Sequence, residues 1–178
     1  MIIRKTVQVG NPVIRAKAKA VKDIASKETK RTVKNLIDSM RHHELVGMAA
    51  PQIGVGMRIF VSEIRTTDFR KDLKKNAEAL RVFINPKITA RSTKTYKGWE
   101  GCGSVVNGEL FGKVSRPYKV TVTAHNEHGE KFELVATDLL ARIIQHEIDH
   151  LDGKLFVDTV DTKTYGVKEE LLRQSKKK

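Results

Sequence analysis

Residues 138–151 restrict the fold more than any other stretch of the chain: Asp138-Leu139-Leu140-Ala141-Arg142-Ile143-Ile144-Gln145-His146-Glu147-Ile148-Asp149-His150-Leu151. As a helix, this segment carries Leu139, Leu140, Ile143, Ile144 and Ile148 around much of its circumference rather than along one stripe. Such a helix is stable only inside a core, so the rest of the chain must wrap it. Thr137 or Asp138 is expected to cap its start, and Gly153 to stop it. The same segment holds His146 and His150, four residues apart and therefore on one face, one turn from each other. Both rings can reach a single metal ion, and Glu147 projects beside them as a candidate general base.

The covering layers are legible in outline. Residues 2–9 read as extended, with Thr6 to Val9 part of a strand, and Gly10-Asn11-Pro12 as a turn. Val33, Leu36, Ile37 and Met40 recur at helical spacing, which predicts an amphipathic helix from about Ser26 to His43. Gly47 to Gly56 reads as a loop. Met57, Ile59 and Val61 alternate as in a strand, residues 64–80 read as a polar surface excursion with some helix, and Val82 to Ile84 as a strand ended by a turn at Asn85-Pro86. The clearest hairpin pairs Val120, Val122 and Ala124 with Phe132, Leu134 and Ala136 across Asn126-Glu127-His128-Gly129. Val167, Leu171 and Leu172 predict a short final helix running into Lys176, Lys177 and Lys178. The expected fold class is α+β: antiparallel sheets packed around a central buried helix bearing the metal motif, with an N-terminal helix and a short C-terminal one. With 178 residues, no repeats and no long linker, residues 1–178 are expected to form a single domain.

Composition narrows the class of function. Hydrophobic residues make up 39% and charged residues 31% of the chain, the balance of a globular protein rather than a disordered one. No apolar run approaches bilayer-spanning length, so no membrane partner is expected. The basic, acid-free start faintly resembles an organellar transit peptide but lacks its serines; a cytoplasmic, bacterial-type location is expected, an organelle being the alternative. The formal net charge of +13 favours encounters with polyanions, ribosomal surfaces included. Aromatics are only 6% and no nucleic-acid motif is present, which argues against a module that reads specific DNA or RNA. The lone Cys102 excludes an internal disulfide framework.

A catalytic zinc-like site has three protein ligands and one open position. Two are His146 and His150. For the third, the sequence offers Cys102, a downstream acid such as Glu169 or Glu170, or another histidine, although none follows His150. Cys102 stands out because glycines flank it in Trp99-Glu100-Gly101-Cys102-Gly103-Ser104, letting backbone approach an ion closely.

Three motifs taken together carry a resemblance. Leu45-Val46-Gly47-Met48-Ala49-Ala50-Pro51-Gln52, Glu100-Gly101-Cys102-Gly103-Ser104 and Gln145-His146-Glu147-Ile148-Asp149-His150-Leu151 occur in the order and character of the peptide deformylase motifs. Gly10-Asn11-Pro12, Asn85-Pro86 and Asp152-Gly153 extend the likeness over nearly the whole chain. The resemblance implies a hydrolase that removes the formyl group from formyl-methionyl nascent peptides and releases formate. It implies Cys102, His146 and His150 as ligands of one divalent metal, Fe2+ in the cell, with Zn2+, Ni2+ or Co2+ as substitutes. Glu147 would be the base and is expected to be ionised in the resting enzyme. Gln52 and the backbone N–H of Gly103 would hold the oxyanion, and Glu100 paired with Arg116 would orient the Cys loop. Val46, Gly47, Leu139 and Ile143 are the candidates for the methionine pocket. Asp149 and Gln145 are assigned to support, and Arg142 is left without a role.

Two positions depart from the family pattern: Leu45 replaces its first glycine, and Gly103 stands where a larger residue usually follows the Cys. They motivate a second reading, a deformylase-like metal-binding protein with weak or altered activity.

Overall fold

The fold comes from a computed structural model that describes residues 3–67 and 77–175. The elements in chain order are α1 (Pro12–Arg15), α2 (Lys27–His42), β1 (Gly47–Ala49), β2 (Ile59–Ile64), β3 (Glu78–Arg91), β4 (Thr95–Gly101), β5 (Leu110–Pro117), β6 (Lys119–His125), β7 (Lys131–Thr137), α3 (Asp138–Leu151), β8 (Asp161–Val167) and α4 (Lys168–Ser175). Of the anticipated excursion over 64–80, residues 68–76 lie outside the described residues, as do Ile2 and Lys176, Lys177 and Lys178.

Two antiparallel sheets form, one in the order β1-β2-β3-β6-β7 and one in the order β4-β5-β8. Helix α3 touches β1, β2, β6 and β7 of the first sheet and β5 of the second, so it is the central helix that its hydropathy demanded. Alternation along the paired strands divides the core. Phe60 and Phe83, directly opposed in register and stacked at 4.3 Å, face α3 with Ile144 and Ile148. Ile59, Val61, Val82 and Ile84 point the other way, onto Leu36 and Met40 of α2. Covered on both faces, β2 is apolar at consecutive positions instead of alternating with polar ones. A third cluster packs Cys102 with Ile14, Val114, Leu155 and Phe156 beneath the smaller sheet.

Helix α2 begins where expected. The Ser26 hydroxyl accepts from the Thr29 N–H at 3.1 Å, a side-chain cap of the usual kind. Helix α3 differs at its start: Thr137 occupies the cap position, yet neither it nor Asp138 makes a side-chain cap bond. The stop at Gly153 holds. Its φ is +74°, and a Cβ there would collide with the Arg15 carbonyl, so only glycine fits.

Several local expectations are overturned. Thr6 to Val9 belongs to neither sheet; it runs extended between other elements, with the Val7 N–H on the Gln52 carbonyl and the Val9 N–H on the Ser104 carbonyl, both at 2.8 Å. Pro12, read as part of a turn, opens α1, with Asn11 as its cap. Gly47 to Ala49 is a buried edge strand followed by a 3-10 turn over Ala50–Ile53. Strand β3 does not end at Asn85-Pro86 but runs through it as an irregularity in register. Asn85 takes φ +53°, which Asn tolerates better than most residues. Its side chain exchanges two hydrogen bonds with the Val21 backbone, at 2.8 and 2.9 Å.

Candidate metal centre and active site

Helix α3 presents His146 and His150 on the face toward the Cys102 loop. The Cys102 Sγ and one nitrogen from each ring all lie within 4.8 Å of one another, and Sγ is 3.2 Å from His150 Nε2. A tetrahedral ion with ordinary zinc-type bond lengths would hold such donors about 3.3–3.6 Å apart, so the cluster fits one metal ion. The other downstream candidates are elsewhere: Glu169 and Glu170 pair with Arg173 on exposed α4, and among the described residues no other histidine joins this cluster.

The surroundings fix each donor. His146 Nδ1 sits 3.0 Å from Glu100 Oε2, which leaves Nε2 for the ion. Cys102 Sγ accepts from the Ser104 N–H at 3.4 Å and from Gln52 Nε2 at 3.6 Å, contacts suited to a ligating sulfur. Glu100 is buried, and its oxygens meet Arg116 Nε and Nη2 at 2.6 and 2.9 Å and Arg142 Nη1 at 2.6 Å. Arg116 also donates to Asp149 at 2.7 Å. Two carboxylates thus balance two guanidiniums. Burial alone would raise the Glu100 carboxyl, but Arg116 and His146 outweigh it and hold the group well below the usual carboxylate range. Burial likewise opposes the charge on Arg116, and Glu100 and Asp149 reverse that, holding its guanidinium more firmly protonated than usual.

The expected pairing of Glu100 with Arg116 is therefore present, and Arg142 joins it. Arg142, left without a role by the sequence, also donates to the carbonyls of Tyr96 at 2.6 Å and Val114 at 3.0 Å. Gln145 bonds the Pro117 carbonyl at 3.0 Å, anchoring α3 to the end of β5.

His146, Glu147 and His150 diverge in their tendency to ionise. Burial drives His150 well below its ordinary value, so it is neutral, as a ligand must be. For His146 burial works in the same direction, but Cys102 and Glu100 overcome it and raise the ring well above its ordinary value. Glu147 is 3% exposed, its Oε2 has no hydrogen-bond partner, and burial pushes its carboxyl up to about 7. Ionisation of Glu147 is thus not secured by the polypeptide at neutral pH; a nearby dication would favour it.

A cavity of about 310 Å³ opens over this cluster, large enough for an apolar side chain with adjoining backbone. Val46, Gly47, Gln52, Cys102, Gly103, Leu139, Ile143, His146 and Glu147 all line it, which brings the predicted pocket and catalytic residues to one place. His150 lies behind, 1% exposed. Trp99, Phe111 and Thr6 add walls that the sequence had not indicated. Gly47 is there for space: a Cβ would strike Glu147 Oε1 and lie 2.9 Å from Ile143 Cγ2. Gln52 is oriented by the Ala49 N–H, which donates to Oε1 at 2.8 Å, so its Nε2 faces the site. The two departures from the family pattern are neighbours: a Cβ on Gly103 would sit 3.4 Å from Leu45 Cδ1.

A cysteine sulfur and two imidazoles grouped to hold one ion, with an unpaired carboxyl and the oriented Gln52 amide beside them, make up the centre of a metal-dependent amide hydrolase. The polypeptide deformylase family model matches residues 3–165. A peptide deformylase of Pseudothermotoga lettingae is 39% identical, the match spanning 99% of this chain and 96% of that one. Among solved structures, a Met-Ala-Ser-bound class I type b peptide deformylase from Acinetobacter baumannii superposes with a TM-score of 0.82 at 29% identity, covering 89% of this chain and 99% of that one. One from Synechococcus elongatus in complex with actinonin gives 0.76 at 34% identity, covering 97% and 84%. The chain belongs to the polypeptide deformylase family.

Proposed function

We infer that the chain hydrolyses the N-terminal formyl group from formyl-methionyl nascent peptides, leaving formate and a free amine. The observation that carries this is the convergence of Cys102, His146 and His150 beside the unpaired Glu147 carboxyl, with Cys102, His146 and Glu147 lining one cavity and His150 behind them. Cys102, His146 and His150 would hold one divalent ion. Their donor set suits Fe2+, with Zn2+, Ni2+ or Co2+ as substitutes. When bound, the ion supplies Lewis acidity toward water and a carbonyl.

The chain's own residues do the rest. Glu147 takes the proton of the attacking water and passes it to the departing nitrogen. Gln52 Nε2 and the Gly103 N–H stabilise the developing oxyanion. Val46, Gly47, Leu139 and Ile143 receive the methionine side chain. Glu100, held by Arg116 and Arg142, fixes the His146 ring. Formate release from a formyl-Met peptide, with anaerobically purified protein, tests the whole assignment; metal-loaded protein without turnover would overturn it and leave the binding-protein reading.

The single-domain organisation over residues 1–178 and a cytoplasmic setting follow from the same reading. No described helix is long and apolar enough to cross a membrane, and the formyl-peptide substrate arises at bacterial-type ribosomes. The net charge of +13 supports ribosome association through long-range attraction to RNA. Cosedimentation that falls as salt rises, and falls again on removing residues 175–178, would support it.

A further inference from the structure

Residues 6–9 carry no step of the mechanism above, Thr6 being a wall of the cavity, yet they bond the backbone carbonyls of both residues read as oxyanion donors. The Thr6 hydroxyl donates to the Gly103 carbonyl at 3.0 Å, and Gln8 Nε2 donates to the same carbonyl at 2.8 Å. Gln8 Nε2 also reaches Thr6 Oγ1 at 3.1 Å, while Gln8 Oε1 accepts from the Asn107 N–H at 2.9 Å. The Val7 N–H between them donates to the Gln52 carbonyl at 2.8 Å, and the Val9 N–H to the Ser104 carbonyl at 2.8 Å. One extended segment thereby bonds Gln52 on one side and Gly103 and Ser104 on the other.

The arrangement matters because residue 103 is glycine. A glycine lacks the side chain that limits its own backbone angles, and an oxyanion donor is useful only when it is already in place before charge develops. Here the restraint comes from outside. The Val105 N–H holds the Cys102 carbonyl, in the same peptide as the Gly103 N–H, at 3.0 Å, and the Thr6 and Gln8 donors fix the Gly103 carbonyl on the other side of the glycine, so that residue 103 is pinned at both of its peptides.

We propose that Thr6 and Gln8 are positioning residues for the reaction: they immobilise Gly103 and, through the Val7 bond, hold it in register with Gln52. This rests on the reading of Gly103 and Gln52 as oxyanion donors.

The test uses metal-loaded, full-length protein with Thr6→Val, Gln8→Leu and the double variant. Gln8→Glu is the shape-conserving partner, which keeps the acceptor for Asn107 and loses the donor to Gly103. Thr6→Ser keeps the hydroxyl. Each donor-deleting single variant is expected to lose roughly tenfold in kcat, with KM and metal content held within about twofold. Affinity for a tetrahedral H-phosphonate analogue of the formyl-Met peptide should fall in step with kcat, while affinity for the product Met-peptide stays level. Thr6→Ser, which keeps the hydroxyl that bonds Gly103, should lose clearly less kcat than Thr6→Val.

A double variant with parental kcat would overturn the proposal. So would a loss that weakens analogue and product equally, or one that follows loss of metal or of thermal stability. Absence of formate release by the parent protein would instead sink the activity itself, whatever the variants do.

Discussion

Replacing Glu147 by glutamine should abolish the chemistry and stabilise the metal-stripped protein, and the second effect has a size and a sign that follow from the structure. The carboxyl is buried without a hydrogen-bond partner for Oε2, and burial raises it from its ordinary 4.5 to about 7. That difference corresponds to about 3 kcal/mol. The folded state binds this proton more tightly than the unfolded chain does. The resulting stabilisation is fully present below pH 4.5 and is lost as pH rises through about 7. A glutamine has no such dependence. Urea unfolding of both chelator-treated proteins should therefore give the variant a gain that is larger at pH 8.5 than at pH 4.5 by about 3 kcal/mol. Any change in packing from oxygen to NH2 is common to both pH values and cancels from that comparison. A stability difference that does not change with pH would refute the claim that a buried, unpaired carboxylate is being held at a cost. In parallel, the metal-loaded variant should turn over at least roughly a hundredfold more slowly, as expected for loss of a general base.

Cys102→Ser should lose most bound metal, read by elemental analysis after dialysis, because a neutral hydroxyl is a poor ligand in place of a thiolate; full metal retention would move the third ligand elsewhere. Gly47→Ala drives a Cβ into Glu147 Oε1 and Ile143. It should cost about 1–3 kcal/mol in urea unfolding and lower kcat, and unchanged kinetics would mean the strand yields freely. Arg142→Met strands the carbonyls of Tyr96 and Val114 and removes one of Glu100's two arginines. It should destabilise by about 2 kcal/mol or more, measured the same way.

The parts legible in the sequence are those whose signal is local. Helix α3 was readable because its apolar circumference and its paired histidines both follow from helical periodicity, and the hairpin of β6 and β7 because strict alternation flanks an Asn-to-Gly turn. Strand β4 carried no such signal. Its inward positions are Gly98 and Glu100, a glycine and an acid, so hydropathy shows no alternation at all. In β5 the inward set is Gly112, Val114 and Arg116, with a single aliphatic side chain, and β8 has no fully buried residue. Asn85-Pro86 misled for a different reason: the residues that make turns also make bulges, and only the partner strand decides between them. The contacts of Thr6 and Gln8 with Gly103 join residues more than ninety positions apart, beyond any pattern within a single segment.

The polar interior of the smaller sheet and the unusual state of Glu147 have one origin. Gly98, Glu100 and Arg116 face α3 where a purely structural sheet would place aliphatic side chains, and α3 answers with Arg142 rather than another leucine. Replacing such a buried network with apolar residues is often neutral or stabilising, so fold stability alone does not account for it. What the network accomplishes is separation. Glu100 receives three donors from two arginines and a bond from His146, and stays ionised. Glu147, one residue along the helix from His146, receives no donor at Oε2 and is pushed toward neutrality. Two carboxyls within one site are thereby given opposite tendencies in the metal-free chain, one held ionised beside His146 and the other raised toward neutral pH, the separation that the proposed acid–base hydrolysis would use.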